Sequence, residues 1–175
     1  MEEMMILVDD SDNPLGTASR EECHKGKGKR HRAFVVFIFN KSKVLLQFRS
    51  KSKLGGSRWD VTATSHVRKG ETYDAAAERC IKHELDISTS FQKIGAFTYT
   101  ETYDGYSENE YCAVLVGKYD GKVTPNKSEI EKLKYSTIDE IKRDVAKNPA
   151  AYTKWFRGSF KILSKFVDKS GYLDG

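Results

Sequence analysis

The chain has little that would staple or segment it. Its three cysteines, Cys23, Cys80 and Cys112, are odd in number and widely separated, which argues against a disulfide framework and for a reducing, cytoplasmic setting. No apolar run approaches the roughly 20 residues of a membrane span. The start of the chain is short and acidic, with Glu2, Glu3, Asp9 and Asp10, and does not read as a secretory leader. No internal repeat and no long linker divides the 175 residues. One domain over 1–175 is therefore expected, with its core from about 6 to 167, large enough to fold without metals or disulfides as staples.

What is present fits a soluble globular protein: 38% hydrophobic and 31% charged residues. Thirty Lys and Arg against twenty-five Asp and Glu leave a formal charge of +5, which favours anionic partners without choosing among phosphate metabolites, nucleic acid and acidic surfaces. Stacking aromatics are not concentrated around the basic stretch Lys25–Arg30, so no specific nucleic-acid partner is expected.

Ile6–Val8 reads as a short strand followed by a turn to Pro14, and residues 16–30 as a polar segment. Arg32–Phe39 is apolar on both faces, which predicts a strand inside a sheet with a layer on each side. Asn40–Lys43 turns it into a partner strand over Val44–Phe48. Trp59–Thr64 is extended. Ala76, Ala77, Cys80, Ile81 and Leu85 form an apolar stripe on a helix over Thr72–Leu85. Phe91–Thr102 and Tyr111–Tyr119 read as later strands, and Thr137–Lys147 as a helix. Asn148 and Pro149 are placed to start a last helix carrying Phe156, Phe160, Leu163 and Val167. The fold class expected is mixed α/β (α+β), with β-sheet layers packed between helices.

Three of the four histidines sit where a metal could gather them: His24, His31 and His66. Glu108 and Glu110, two apart in an extended segment, aim both carboxylates to one side, with Cys112 continuing that side. Such nitrogen and oxygen donors suit zinc, manganese or iron better than calcium, with magnesium at an oxygen-rich neighbouring position. The plainer alternatives are a hydrogen-bonded His31 at a strand entrance, Glu108 and Glu110 facing water, and a small zinc site around Cys23, His24 and His31. Cys112 reads as a small buried residue rather than a ligand. Glu84 falls along the apolar side of its helix, where an unpaired carboxylate would be costly. Exposure at the helix end is the leading expectation for it, ahead of an arginine partner or metal coordination. Glu71 reads as a loop or first-turn carboxylate. Arg49, Lys51, Lys53 and Arg58 surround Gly55-Gly56, and with Arg20 and Arg30 they could grip a diphosphate or simply face water.

Taken in order, these segments resemble the Nudix fold, especially type I isopentenyl-diphosphate isomerases. The resemblance runs from about Ile6 to Val167. It is carried by Val8–Gly16, Cys23-His24, His31–Phe34, Leu45–Ser50, His66, Gly70-Glu71, Arg79, Glu84-Leu85, Glu108–Glu110 and Thr153–Phe156. The general Nudix signature is altered: Ser65 stands at its opening glycine, Cys80 and His83 at usual glutamates, and Asp86 at a later glycine, whereas Glu71, Arg79 and Glu84 are kept. The resemblance implies a metal site of His24, His31, His66, Glu108 and Glu110, with Glu84 assisting a second, substrate-linked Mg2+. The first site would hold Mg2+, or Mn2+ or Zn2+ on its His/Glu ligands. It further implies diphosphate contacts from Arg20, Arg49 and Lys53, an active-site tyrosine at Tyr99, and Trp155 covering the hydrocarbon. Glu110 would act in proton transfer opposite a family cysteine, but Thr64 occupies that position. The implied reaction is interconversion of isopentenyl and dimethylallyl diphosphate; the alternative is hydrolysis of a nucleoside or other small diphosphate. A non-enzymatic phosphate- or nucleic-acid-binding module is a third, more distant reading.

Overall fold

The computed structural model describes residues 2–103 and 105–172. The Val/Phe/Ile run forms the central strand β3 (His31–Asn40), because its side chains have apolar partners on both faces. It pairs antiparallel with β4 (Lys43–Arg49), with β6 (Ala63–His66) and, through one residue pair, with β1 (Met4–Val8). Its parallel neighbour is β8 (Tyr106–Lys118), in a register that sets His31 beside Glu110. Around this centre lie β2 (Pro14–Ser19) on β1, β7 (Gln92–Tyr103) on β8, and both β5 (Trp59–Asp60) and β9 (Ile130–Thr137) on β4. The sheet is mixed, mostly antiparallel and curled, and helices pack against it.

Alternation along β3 divides the core. Ala33, Val35, Phe37 and Phe39, with Cys112, Val114 and Val116 of β8, pack toward Phe156, Phe160 and Leu163 of helix α4 (Lys154–Ser170). Phe34, Val36 and Ile38, with Ala113 and Leu115, pack toward Ala76, Ala77, Cys80, Ile81 and Leu85 of helix α2 (Tyr73–Leu85). Each large side chain buried in this way contributes roughly 1.5–3 kcal/mol relative to an exposed one. Helix α2 starts at Thr72, whose hydroxyl accepts from the Ala75 amide, and ends at Asp86 in the left-handed conformation. No helix among the described residues is long and apolar enough to cross a membrane.

Several elements depart from the sequence expectation. The polar stretch 16–30 contains most of β2 and a five-residue helix, α1 (Arg20–His24). β9 forms in a stretch without an assigned element and leads directly into α3 (Ile138–Lys147). Pro149 opens a separate 3-10 turn (Pro149–Ala151) rather than the last helix, which begins at Lys154. Thr153, at that helix's cap position, gives no capping bond because its hydroxyl donates to Asp60 Oδ1 at 2.8 Å.

Candidate metal centre

Four elements bring four ligand atoms together. Helix α1 is nucleated by a capping box: the Ser19 hydroxyl accepts from the Glu22 amide (3.2 Å), and the Glu22 carboxylate accepts from the Ser19 amide (3.0 Å). That single turn ends in His24. His31 opens β3, His66 closes β6 and Glu108 lies near the start of β8. One donor atom from each of His24, His31, His66 and Glu108 lies within 4.8 Å of all the others.

The orientation of the rings is fixed from behind. His24 Nδ1 is 2.6 Å from the Arg20 carbonyl oxygen, and His31 Nδ1 is 2.8 Å from that of Lys29. Since a carbonyl only accepts, both Nδ1 atoms donate and the Nε2 lone pairs face inward. His31 Nε2 is buried without a hydrogen-bond partner, and the buried His24 Nε2 and Glu108 Oε2 face each other at 3.3 Å with no other partner among the described residues. Buried lone pairs that face one another without hydrogens between them are costly, and a divalent cation removes that cost. The donor set therefore fits a transition-type divalent ion.

The histidine-bearing segments are locked by the other face of β8. Glu108 points into the cluster, while Ser107 Oγ donates to the Gly26 carbonyl (2.6 Å) and Asn109 Nδ2 to that of Gly28 (3.2 Å). Asn109 Oδ1 also accepts from Arg30 Nε at 3.1 Å. Gly28 adopts φ +72°, and a Cβ there would meet the Cys23 carbonyl, Asn109 and Ser107 within 3.2–3.4 Å. The loop between His24 and His31 is thus a shaped clamp rather than only a basic stretch. The roles of Ser107 and Asn109 were absent from the sequence reading, although the alternation Ser-Glu-Asn-Glu carried the signal.

Burial tunes the titrating groups. It drives His31 down to about 3 and His66 down to about 4, keeping both imidazoles neutral and available as ligands. Burial also opposes a charge on His24, but neighbouring Glu108 and the Arg20 carbonyl outweigh it and raise its pKa. Glu110, 3.2 Å from His66 Nε2 through Oε1, is pushed up to about 7 by burial. It stands beside the four-atom cluster rather than within it.

A cavity of about 600 Å³ opens from this cluster, lined among others by Arg20, Arg49, Lys53, Thr64, His66, Glu84, Tyr99, Glu108, Glu110 and Trp155. Glu84 is 4% exposed, which corrects the expectation of an exposed helix end. Its charge is met by Lys53 Nζ (2.7 Å) and Gln47 Nε2 (3.0 Å), so the partner is a lysine and an amide. Lys53 is held from the other side by Glu129 at 2.5 Å, another lining residue absent from the sequence reading. Arg49 is buried and spends its donors on Asp60 Oδ2 (2.9 Å) and the Leu54 carbonyl (3.0 Å), with its guanidinium 5.2 Å from the Trp155 ring. Asp60, fully buried, also accepts from the Trp155 indole at 2.8 Å. The Tyr99 and Tyr103 hydroxyls are 2.8 Å apart. Of the other cationic residues near the glycine pair, Lys51 is exposed and Arg58 lines a neighbouring cavity instead. Arg30 is occupied by Asp10 and Asn109.

Thr64 lines the cavity, and its hydroxyl donates to the Phe34 carbonyl at 2.8 Å. Cys80, expected in the apolar stripe of its helix, lines the same cavity with Sγ 3.8 Å from the Thr64 carbonyl oxygen. Burial pushes its thiol far up, leaving it a poor proton acceptor. Cys23 and Cys112 are buried free thiols. Glu71 sits in the loop before α2 and pairs through both oxygens with Arg79, which also donates to the His66 carbonyl at 3.1 Å. That pair supports the histidine strand from outside.

Fold, cavity and ligand cluster together describe a mixed α/β domain with a candidate histidine-rich metal centre. The NUDIX domain model matches residues 29–156, and the chain belongs to the Nudix family. It is 35% identical over 166 residues to an isopentenyl-diphosphate Delta-isomerase of Serratia proteamaculans, covering 93% of this chain and 92% of that one. Among solved structures, a Deinococcus radiodurans protein superposes with a TM-score of 0.72 at 20% identity, covering 91% of this chain and 99% of that one. A MutT NUDIX hydrolase from Burkholderia pseudomallei gives 0.63 at 18% identity, over 76% and 97%. At those identities the two structures speak for the fold alone.

Proposed function

We propose that this protein interconverts isopentenyl and dimethylallyl diphosphate by proton transfer in the cavity beside the His24–His31–His66–Glu108 cluster. The observation that carries the reading is the pairing of two features in one pocket. One is a set of orphaned metal-ligand atoms; the other is Glu110, a buried carboxyl that lines the cavity 3.2 Å from His66 Nε2, where burial favours its protonated form. The full-length similarity to the Serratia proteamaculans isomerase supports the same substrate class.

Glu110 would protonate the terminal methylene of isopentenyl diphosphate, forming the new C–H bond as the alkene electrons leave a tertiary cation. Transfer of a proton from the neighbouring CH2 to Thr64 Oγ1, or to another base lining the cavity, leaves its C–H electrons in the new double bond and completes dimethylallyl diphosphate. Tyr99 would assist Glu110, and the aromatic faces of Tyr99 and Trp155, 6.1 Å apart in a T-shaped pair, would shield the cation from water. Arg20 and Lys53 would neutralise the diphosphate, with Arg49 holding Trp155 in place as well as adding positive potential. A divalent ion, Mg2+, Mn2+ or Zn2+, would be held by His24, His31, His66 and Glu108, with Glu110 beside it, and would supply charge neutralisation. Glu84, which lines the cavity bonded to Lys53, would serve a substrate-linked Mg2+.

The second reading is a Nudix diphosphate hydrolase, and Thr64 favours it: a hydroxyl is a weak base for removing the allylic proton, whereas hydrolysis does not require one at that position. Incubating the protein with isopentenyl diphosphate and a divalent ion, and resolving products by mass and chromatography, tests both readings. Isomerisation without loss of phosphate supports the first; phosphate or pyrophosphate release without isomerisation supports the second.

A further inference from the structure

We propose that Tyr106 is a positioning residue that couples the metal centre to the anion-binding end of the cavity, by stacking on His24 and holding the side chain of Arg20. The proposal rests on the metal-site reading above and extends it to a residue outside the ligand and proton-transfer set.

Three contacts close a small ring. The Tyr106 ring lies flat on the His24 imidazole, with centroids 4.4 Å apart and planes 17° from parallel. Its phenol and the Arg20 guanidinium line the same cavity and are electrostatically coupled. The Arg20 carbonyl in turn fixes His24 Nδ1 at 2.6 Å, one helical turn along α1. Among the described residues, the Arg20 guanidinium otherwise pairs with Glu3 at 3.3 Å, and its side chain is 56% exposed. A long, half-solvated arginine loses conformational freedom when it is ordered on an anion. A phenol fixed by its stack on His24 restricts that freedom in advance. The same ring covers one flank of His24, next to buried Nε2, and so keeps the imidazole plane aimed at the cluster.

Tyr106 thus serves two tasks that separate chemically. Stacking belongs to the ring and serves the metal; the hydroxyl serves Arg20 and the anion. Tyr106→Phe keeps the first and removes the second, whereas Tyr106→Leu removes both.

The test uses calorimetric titration of wild type and both variants, first with Mn2+ or Zn2+ alone and then with inorganic pyrophosphate in the presence of the metal. Circular dichroism and melting temperature establish that each variant is folded. Tyr106→Phe is expected to keep metal affinity within about twofold while weakening pyrophosphate roughly 2–10-fold, the loss of one modest polar contact. Tyr106→Leu is expected to weaken metal binding by roughly 10-fold or more, as removal of a ligand's supporting contact does. In turnover, Tyr106→Phe should raise KM for the diphosphate substrate with kcat little changed. Folded variants with wild-type affinity for both probes would overturn the proposal, as would a wild type that binds no metal. Because metal and pyrophosphate binding are read without turnover, a wild type that binds both but fails to isomerise would reject the proposed reaction and leave the role of Tyr106 standing.

Discussion

The Thr64 hydroxyl donates to the Phe34 carbonyl oxygen at 2.8 Å, so the one polar hydrogen of this side chain is held by the neighbouring strand. Its oxygen still faces a cavity that also contains Glu110. A threonine oxygen binds a proton far more weakly than a thiolate does, and nothing adjacent in the chain supplies an activating base. Replacing Thr64 by Cys should therefore raise kcat for isomerisation by about 10-fold or more, at the lower end of what a positioned base contributes. Steady-state kinetics with isopentenyl diphosphate would show it; an unchanged kcat in a folded Thr64→Cys variant would place the base elsewhere.

Metal binding should stabilise the fold because the four ligand atoms come from α1, β3, β6 and β8 and meet only when it is formed. At a free metal concentration 100 times Kd, the gain is about 2.7 kcal/mol, or a rise in Tm of roughly 5–10 °C for a chain of this size. Thermal melts with chelator and with added Mn2+ or Zn2+ give the comparison. His31→Ala should abolish most of the shift, whereas equal melts for the wild type in both conditions would contradict the site.

The clamp on the 25–30 loop makes a separate prediction. Ser107→Ala removes the bond to Gly26, and Gly28→Ala forces a side chain into a φ of +72° against backbone and Asn109. Each should weaken metal binding by roughly 10-fold or more without touching a ligand. Metal titration of the two variants measures this directly, and wild-type affinity in both would show that the loop does not position the histidines.

In the metal-free protein, acid should weaken the fold through the same residues. Unfolded histidine titrates near 6.5, but burial holds folded His31 at about 3 and folded His66 at about 4. Between pH 6.5 and 4.5 the unfolded chain thus takes up two protons that the folded chain refuses, and stability falls as pH falls. Glu110 acts in the opposite direction, since its folded pKa of about 7 exceeds the unfolded value near 4.5. The net from these three groups is close to one proton near pH 5.5, or about 1.4 kcal/mol lost per pH unit there, while His24, whose folded pKa is raised, opposes the loss nearer neutrality. Urea unfolding in chelator from pH 7 to 4.5 measures the slope; a flat profile, or stability rising toward acid, would contradict the assigned burial of the histidines.

Asp60 predicts a structural effect that propagates to the cavity. It is the acceptor shared by Arg49, Thr153 and Trp155. Asp60→Ala would strand the buried Arg49 guanidinium and cost about 3–5 kcal/mol. That corresponds to a fall in Tm of roughly 6–20 °C, accompanied by a changed Trp155 fluorescence because its indole N–H loses its acceptor. A variant melting with the wild type would show that Asp60 is dispensable.

The long elements were legible in the sequence because they bury regular apolar patterns. Ala33–Phe39 could only be an internal strand, and the stripe from Ala76 to Leu85 could only cover one sheet face. The missed elements lack such patterns. β2 is an edge strand paired only to β1, with Pro14, Leu15, Gly16 and Thr17 exposed, so pairing rather than burial defines it. α1 is one turn long, too short for a helical period, and only the Ser19–Glu22 capping box marked it. The candidate ligands His24, His31, His66 and Glu108 were nameable from residue type and resemblance, but their convergence depends on β3 pairing both β6 and β8. Glu84 was misjudged because its cation, Lys53, lies 31 residues away and no local pattern links the two. Asp60 was missed for the same reason, since its partners include Thr153 and Trp155 at the far end of the chain.

The most direct test of the proposed reaction is a mass-resolved turnover assay. Isopentenyl diphosphate and a small panel of nucleoside and prenyl diphosphates are each incubated with the protein and Mg2+ plus Mn2+ or Zn2+, alongside Glu110→Gln. The account predicts dimethylallyl diphosphate from isopentenyl diphosphate, at unchanged mass and without phosphate release, and loss of that product in Glu110→Gln. Rapid metal-dependent cleavage of a diphosphate, with no dimethylallyl diphosphate formed by the wild type, would contradict it.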